Sequence, residues 1–145
     1  MQLLDHVSIT VTDLARATPF YEAIMSALGV SKAYEMDDAV GFGQRNRPDD
    51  DAHTYFSLFQ SSAAAPDPRR HWCFRARSTA EVRAFFDAGL RAGGVADGEP
   101  GLRPDYHRAY FAAFLKDPEG NRVEAVFHQS DQPPPVADAK QSARP

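Results

Sequence analysis

The chain has 145 residues with 20 acidic and 16 basic side chains, a formal net charge of −4. That length suits one domain with a real core, and the acidic balance excludes the basic stripe that nucleic acid requires. A single cysteine, Cys73, excludes an intramolecular disulfide framework and a cysteine-rich zinc site, and it fits a reducing cytosol.

No stretch reaches the ~18 apolar residues that span a bilayer. Residues 1–6 lack a basic region followed by an apolar one, so no signal peptide is expected and a cytoplasmic protein is. Residues 4–11 alternate, with Val7, Ile9 and Val11 on one face and His6, Ser8 and Thr10 on the other, which predicts a strand. Asp13 stands at a helix N-cap, and Leu14, Ala17, Phe20, Tyr21, Ile24, Met25 and Leu28 keep helical spacing up to the stop at Gly29, with Pro19 inside the run. Two strands are predicted near 39–45 and 54–60, separated by a charged loop at 47–51.

Residues 61–70 read as a linker, after which the pattern begins again. His71–Ala76 predicts a strand. Ser78 to Glu81 forms a capping box, and Val82, Phe85, Phe86 and Leu90 continue a helix to Gly93-Gly94. A shift of 65 residues pairs His6/His71, Ala15/Ala80, Phe20/Phe85, Ala23/Ala88, Ala27/Ala92, Gly29/Gly94 and Val30/Val95, against roughly two identities for random pairing. The chain is therefore read as an internal repeat. Ala109–Lys116 and Arg122–His128 are strand-like around the turn Asp117-Pro118-Glu119-Gly120-Asn121, while the strand after Gly94 is poorly marked. The expected organisation is one α+β domain over 1–128, with modules 1–63 and 69–128, and a disordered Pro-rich tail at 129–145.

Repetition sets His6 and His71 at equivalent strand starts, and Glu124 lies on the last strand. Two imidazoles and one carboxylate form a facial set that leaves open positions on a metal. Ser8 shares the His6 face, and Cys73 and Arg75 share the His71 face. Ser8 and Arg75 are candidate substrate-binding residues, with Arg75 suited either to an anionic substrate or to a carboxylate on the rim. His107 and Tyr110, in the segment Arg103–Tyr110, are candidate catalytic residues: an acid–base group and a phenol.

Leu4-Asp5-His6-Val7, Phe20-Tyr21, Leu28-Gly29, His71, Gly93-Gly94 and above all Phe114–Glu124 resemble the vicinal oxygen chelate superfamily. That superfamily includes glyoxalases, extradiol dioxygenases, fosfomycin-resistance thiol transferases and bleomycin-resistance binding proteins. The resemblance implies two βαβββ modules curling into a cup of mixed sheet around one divalent ion (Fe, Mn, Ni or Zn), with His6, His71 and Glu124 as its ligands. It also implies a homodimer and a small-molecule substrate. A fourth ligand is expected from the last strand of the first half, where the 65-residue shift points to Phe59, and a gap would bring in His53 or Gln60. The activity implied is a lyase, isomerase or ring-cleaving dioxygenase. The alternatives are a metal-free ligand-sequestering protein and, lower, a fosfomycin-type transferase.

Overall fold

The computed structural model describes residues 3–129, so the expected tail lies almost wholly outside the described residues. The first half contains β1 (His6–Val11), α1 (Leu14–Ala27), β2 (Lys32–Glu35), β3 (Ala39–Gly43) and β4 (Tyr55–Gln60). The second contains β5 (His71–Arg75), α2 (Thr79–Arg91), β6 (Val95–Leu102), β7 (Tyr110–Lys116) and β8 (Arg122–His128). Each half builds its own four-stranded mixed sheet, in the orders β1-β4-β3-β2 and β5-β8-β7-β6. The repeat is real: β1 runs parallel to β4 as β5 does to β8, and the remaining pairs are antiparallel. The two sheets do not join, which leaves β1 and β5 as edge strands.

Local chemistry explains the helices. The Asp13 side chain accepts from the Arg16 N–H at 3.0 Å and Ser78 from the Glu81 N–H at 3.1 Å, as N-caps do. Glu81 reaches one residue further back than a capping box requires, accepting from the Arg77 N–H and the Arg77 Nε. Pro19 does not break α1: it sits on the exposed side, where the carbonyl it leaves without a donor faces water. Both helices stop at a left-handed glycine, Gly29 at φ 71° and Gly93 at φ 91°. The structural counterpart of Gly29 is thus Gly93, not Gly94, because α2 is one residue shorter. Gly94 instead lets the Phe20 ring approach, since a Cβ there would lie 2.4 Å from it.

Val7, Ile9, Val11, Phe56 and Leu58 face inward from the first sheet, and Trp72, Phe74, Val123 and Ala125 from the second. They meet α1 and α2 in one core, with Phe56 and Phe74 in edge contact at 5.4 Å. The turn at 117–121 bolts the halves together. Tyr21 donates to Asp117, and the Glu119 carboxylate accepts from the Thr12 N–H, the Thr12 hydroxyl and the Asp13 N–H, each at 2.8 Å. With the inward residues committed to the core, the alternate residues of each strand form an outer face, and all the sequence-predicted site residues on the strands lie there.

Candidate functional site

On the second sheet, the pairing sets Cys73 opposite Glu124 and Phe114 opposite Glu124 on the other side. Glu124 is 2% exposed, an unusual location for a carboxylate and one that demands partners. Tyr110 donates to Glu124 Oε1 at 2.6 Å, and His71 Nε2 lies 3.2 Å from Glu124 Oε2. Cys73 is an exposed residue whose sulfur nonetheless lies against Glu124 and Tyr110; the protein packed around the sulfur and the neighbouring carboxylate push the thiol up to about 12. Burial and the hydrogen bond to Glu124 also raise the Tyr110 phenol well above its ordinary value, so it remains a proton donor at neutral pH. His71 and Glu124, two of the three predicted metal ligands, are therefore in contact, and Tyr110 orients the carboxylate from behind.

The first sheet holds His6 apart from them. Its Nδ1 meets Asp5 at 2.7 Å, its ring stacks on Tyr55 at 4.9 Å, and the side chain is half exposed. Asp5 is held in turn by Asn46, which also bridges both backbone groups of His53. The hydrogen bonds from His6 and Asn46 hold the Asp5 carboxyl below its usual range. A carboxylate fixing the far nitrogen of an imidazole is how metal-ligating histidines are commonly oriented. Among the described residues, no group of three or more His, Cys, Asp or Glu side chains is placed to hold one metal ion. The donor types of His71 and Glu124 suit Fe, Mn, Ni or Zn, and within one chain two ligands converge while the third sits on the other sheet.

Register settles the fourth position. Ser8 pairs with Ser57 as Cys73 pairs with Glu124, so the last strands are related by a shift of 67, not 65. Neither Phe59, His53 nor Gln60 corresponds to Glu124; Ser57 does. It is 1% exposed, and the Tyr34 hydroxyl donates to its Oγ at 2.7 Å. His53 pairs with Asp50, and Gln60 accepts from the Leu14 N–H at the start of α1.

Ser8 lies exposed on the His6 face, and Arg75 lies exposed on the His71 face with no ion pair among the described residues. His107 touches the site through Tyr110, with ring centres 5.4 Å apart. The Ala109 N–H donates to His107 Nδ1, which puts the histidine's own proton on Nε2, where it donates to His128 Nδ1 at 2.9 Å. His128 was not anticipated from the sequence. The available signal was strand parity, since it lies four residues beyond Glu124 on the same face. A cavity of about 910 Å³ opens beside β5, lined by Leu4, Val7, Met25, Trp72 and Phe74 on its apolar side and reached by His71 and Arg75.

Residues 3–125 match a family model described as the Glyoxalase/Bleomycin resistance protein/Dioxygenase superfamily. No curated protein matches the sequence. Among solved structures, a glyoxalase/bleomycin resistance protein from Albidiferax ferrireducens T118 superposes with a TM-score of 0.73 at 24% identity, over 86% of this chain and 98% of that one. A glyoxalase-related enzyme from Fulvimarina pelagi gives 0.63 at 14% identity over 88% of each chain. A family enzyme from Burkholderia phytofirmans PsJN gives 0.63 at 14% over 86% and 98%. At these identities the structures establish the fold alone.

Proposed function

The chain belongs to the Glyoxalase/Bleomycin resistance protein/Dioxygenase superfamily, and from that premise we propose that it is a metal-dependent enzyme acting on a small oxygenated molecule, as a lyase or isomerase or as a ring-cleaving dioxygenase. The observation that carries the proposal is the approach of His71 Nε2 to the buried Glu124 carboxylate at 3.2 Å, with Tyr110 on the other oxygen. A divalent ion held by His71, Glu124 and His6 would bind two adjacent substrate oxygens and stabilise negative charge as it forms on them.

The protein's own groups have definite tasks in this reading. Asp5 holds Nδ1 of the His6 ring, which would leave Nε2 as the ligating nitrogen. Tyr110 stays protonated and holds one Glu124 oxygen, so that Oε2 is the one turned to His71. Because His6 sits on the other sheet, and both β1 and β5 are unpaired edges, the third ligand is assigned to a second copy of the chain in a homodimer.

The sequestering alternative has one supporting observation: both Glu124 oxygens already have partners inside the chain, so the site is saturated without an ion. Metal analysis of purified protein, followed by Mn²⁺ titration of wild type, His6→Ala, His71→Ala and Glu124→Ala, separates the two. One Mn²⁺ per chain, lost in all three variants, supports the enzyme. No uptake by the wild type sinks it. Oxygen consumption with a panel of catechols then distinguishes dioxygenase from lyase.

A further inference from the structure

On the face of the first sheet that presents His6, the guanidinium carbon of Arg45 lies 4.7 Å from the centre of the Tyr34 ring and 5.2 Å from that of Tyr55. These rings belong to the site. Tyr55 stacks on His6, and the Tyr34 hydroxyl reaches Ser57, which occupies the position equivalent to Glu124. The packing is specific, because Tyr34 lies flat over Gly41, where a Cβ would fall 2.1 Å from the ring. A cation–π contact needs none of a guanidinium's N–H groups as donors to a carboxylate or carbonyl, so they remain able to donate. Among the described residues, no carboxylate or carbonyl accepts from Arg45. Some other arginines have such acceptors, Arg77 with Glu81 and Arg122 with Asp97, whereas Arg83 lies over Phe111 with none among the described residues; what sets Arg45 apart is its place over two rings of the His6 face.

We propose that Arg45 is an anion-recognising residue of the site and that the substrate is a small oxygenated carboxylate. The in-plane N–H fork of Arg45 would take the carboxylate in bidentate fashion, while the rings of Tyr34 and Tyr55 hold the side chain in place. Contact with two rings restricts the side chain before binding, so less rotamer freedom is lost when the carboxylate arrives. The inference rests on the reading above that the His6 face is the reacting face, but anion recognition itself needs no metal.

The test is a titration of the full-length, EDTA-treated protein with benzoate and with benzamide, its neutral counterpart, followed by NMR at the arginine Nε–H signals. The expected result is a saturable shift of the Arg45 signal with benzoate and at least tenfold weaker binding of benzamide. Arg45→Gln should weaken benzoate at least tenfold with an unchanged melting temperature. Arg45→Lys keeps the charge and should recover only part of the affinity; full recovery would overturn the fork. Arg83→Gln removes an arginine that lies over Phe111 elsewhere and should change nothing. Equal binding of benzamide, full benzoate affinity in Arg45→Gln, or an equal loss in Arg83→Gln overturns the proposal. Mn²⁺ titration of the same samples keeps the two readings distinct. If the wild type takes up no Mn²⁺ while benzoate binding still depends on Arg45, the metalloenzyme reading fails and the anion site stands.

Discussion

The phenol of Tyr21 on α1 donates a 2.8 Å hydrogen bond to Asp117 Oδ2 in the turn between β7 and β8, and both residues are at most 2% exposed. This joins the two halves at their most deeply buried polar contact. Asp117 also accepts from the Glu119 and Asn121 backbone N–H groups and from the Asn121 amide. Burial and the adjacent carboxylate raise the Tyr21 phenol well above its ordinary value, so it never ionises in the physiological range. Tyr21→Phe keeps the ring and removes one donor to a buried charge, so it should cost about 1.5–3 kcal/mol in urea denaturation. A cost within experimental error would show that the turn, not the inter-half bond, satisfies Asp117.

Glu119 provides a second clamp, with a pH dependence. Its pKa is affected first by partial burial, which raises it, but the hydrogen bonds from Thr12 and Asp13 outweigh this and bring it below 4.5. A depressed carboxylate contributes stability that is fully present above the unfolded value near 4.5 and is lost as pH falls through the lower folded value. Glu119→Gln should therefore cost about 1 kcal/mol at pH 7, and the gap to wild type should close as pH falls through the lowered folded value. A gap that is constant from pH 3 to 7 would contradict the assignment.

How far the sequence revealed all this depended on the element. Alternation in His6–Val11 and helical spacing after Asp13 and Ser78 were legible because one face of each is buried, while Arg122–His128, buried on both faces, was legible as a short apolar run after a strong turn. β2 was not placed, because Lys32–Glu35 is short, polar and largely exposed. β6 carries two glycines and a proline and shifts register twice, which only an edge strand tolerates, and this erased its pattern. Strand parity put Cys73 and Arg75 on the His71 face, but the contact of His71 with Glu124 needs β5 beside β8, a pairing that the pattern of single strands does not contain. The separation of His6 was hidden for the same reason, since side-chain alternation within strands carries no information on how two sheets sit together. The shift from 65 to 67 was hidden in unequal loops, and with it Ser57.

Cys73 is placed to report on Glu124. Burial, first, and then the carboxylate push its thiol up to about 12, so in EDTA it should react with iodoacetamide at pH 8 at least tenfold more slowly than an unperturbed thiol. Glu124→Gln removes the charge but not the burial, so labelling should speed up several-fold without reaching the free-thiol rate. Unchanged labelling in Glu124→Gln would mean that the carboxylate does not bear on the sulfur.

Gly41 tests the first-half face without touching any predicted ligand. A methyl group there meets the Tyr34 ring at 2.1 Å, well inside contact distance, and β3 cannot retreat because Gly41 is paired with Ser57 in mid-sheet. Tyr34 must then lift away, leaving the buried Ser57 hydroxyl without its donor. Overpacking and the lost bond together should cost about 2–4 kcal/mol in Gly41→Ala. The cause can be isolated by a double-mutant cycle: in a Tyr34→Ala background the ring is gone, and Gly41→Ala should cost less than half as much. If the full cost persists without the tyrosine, the glycine is required by the backbone of β3 and not by the ring that lies across it.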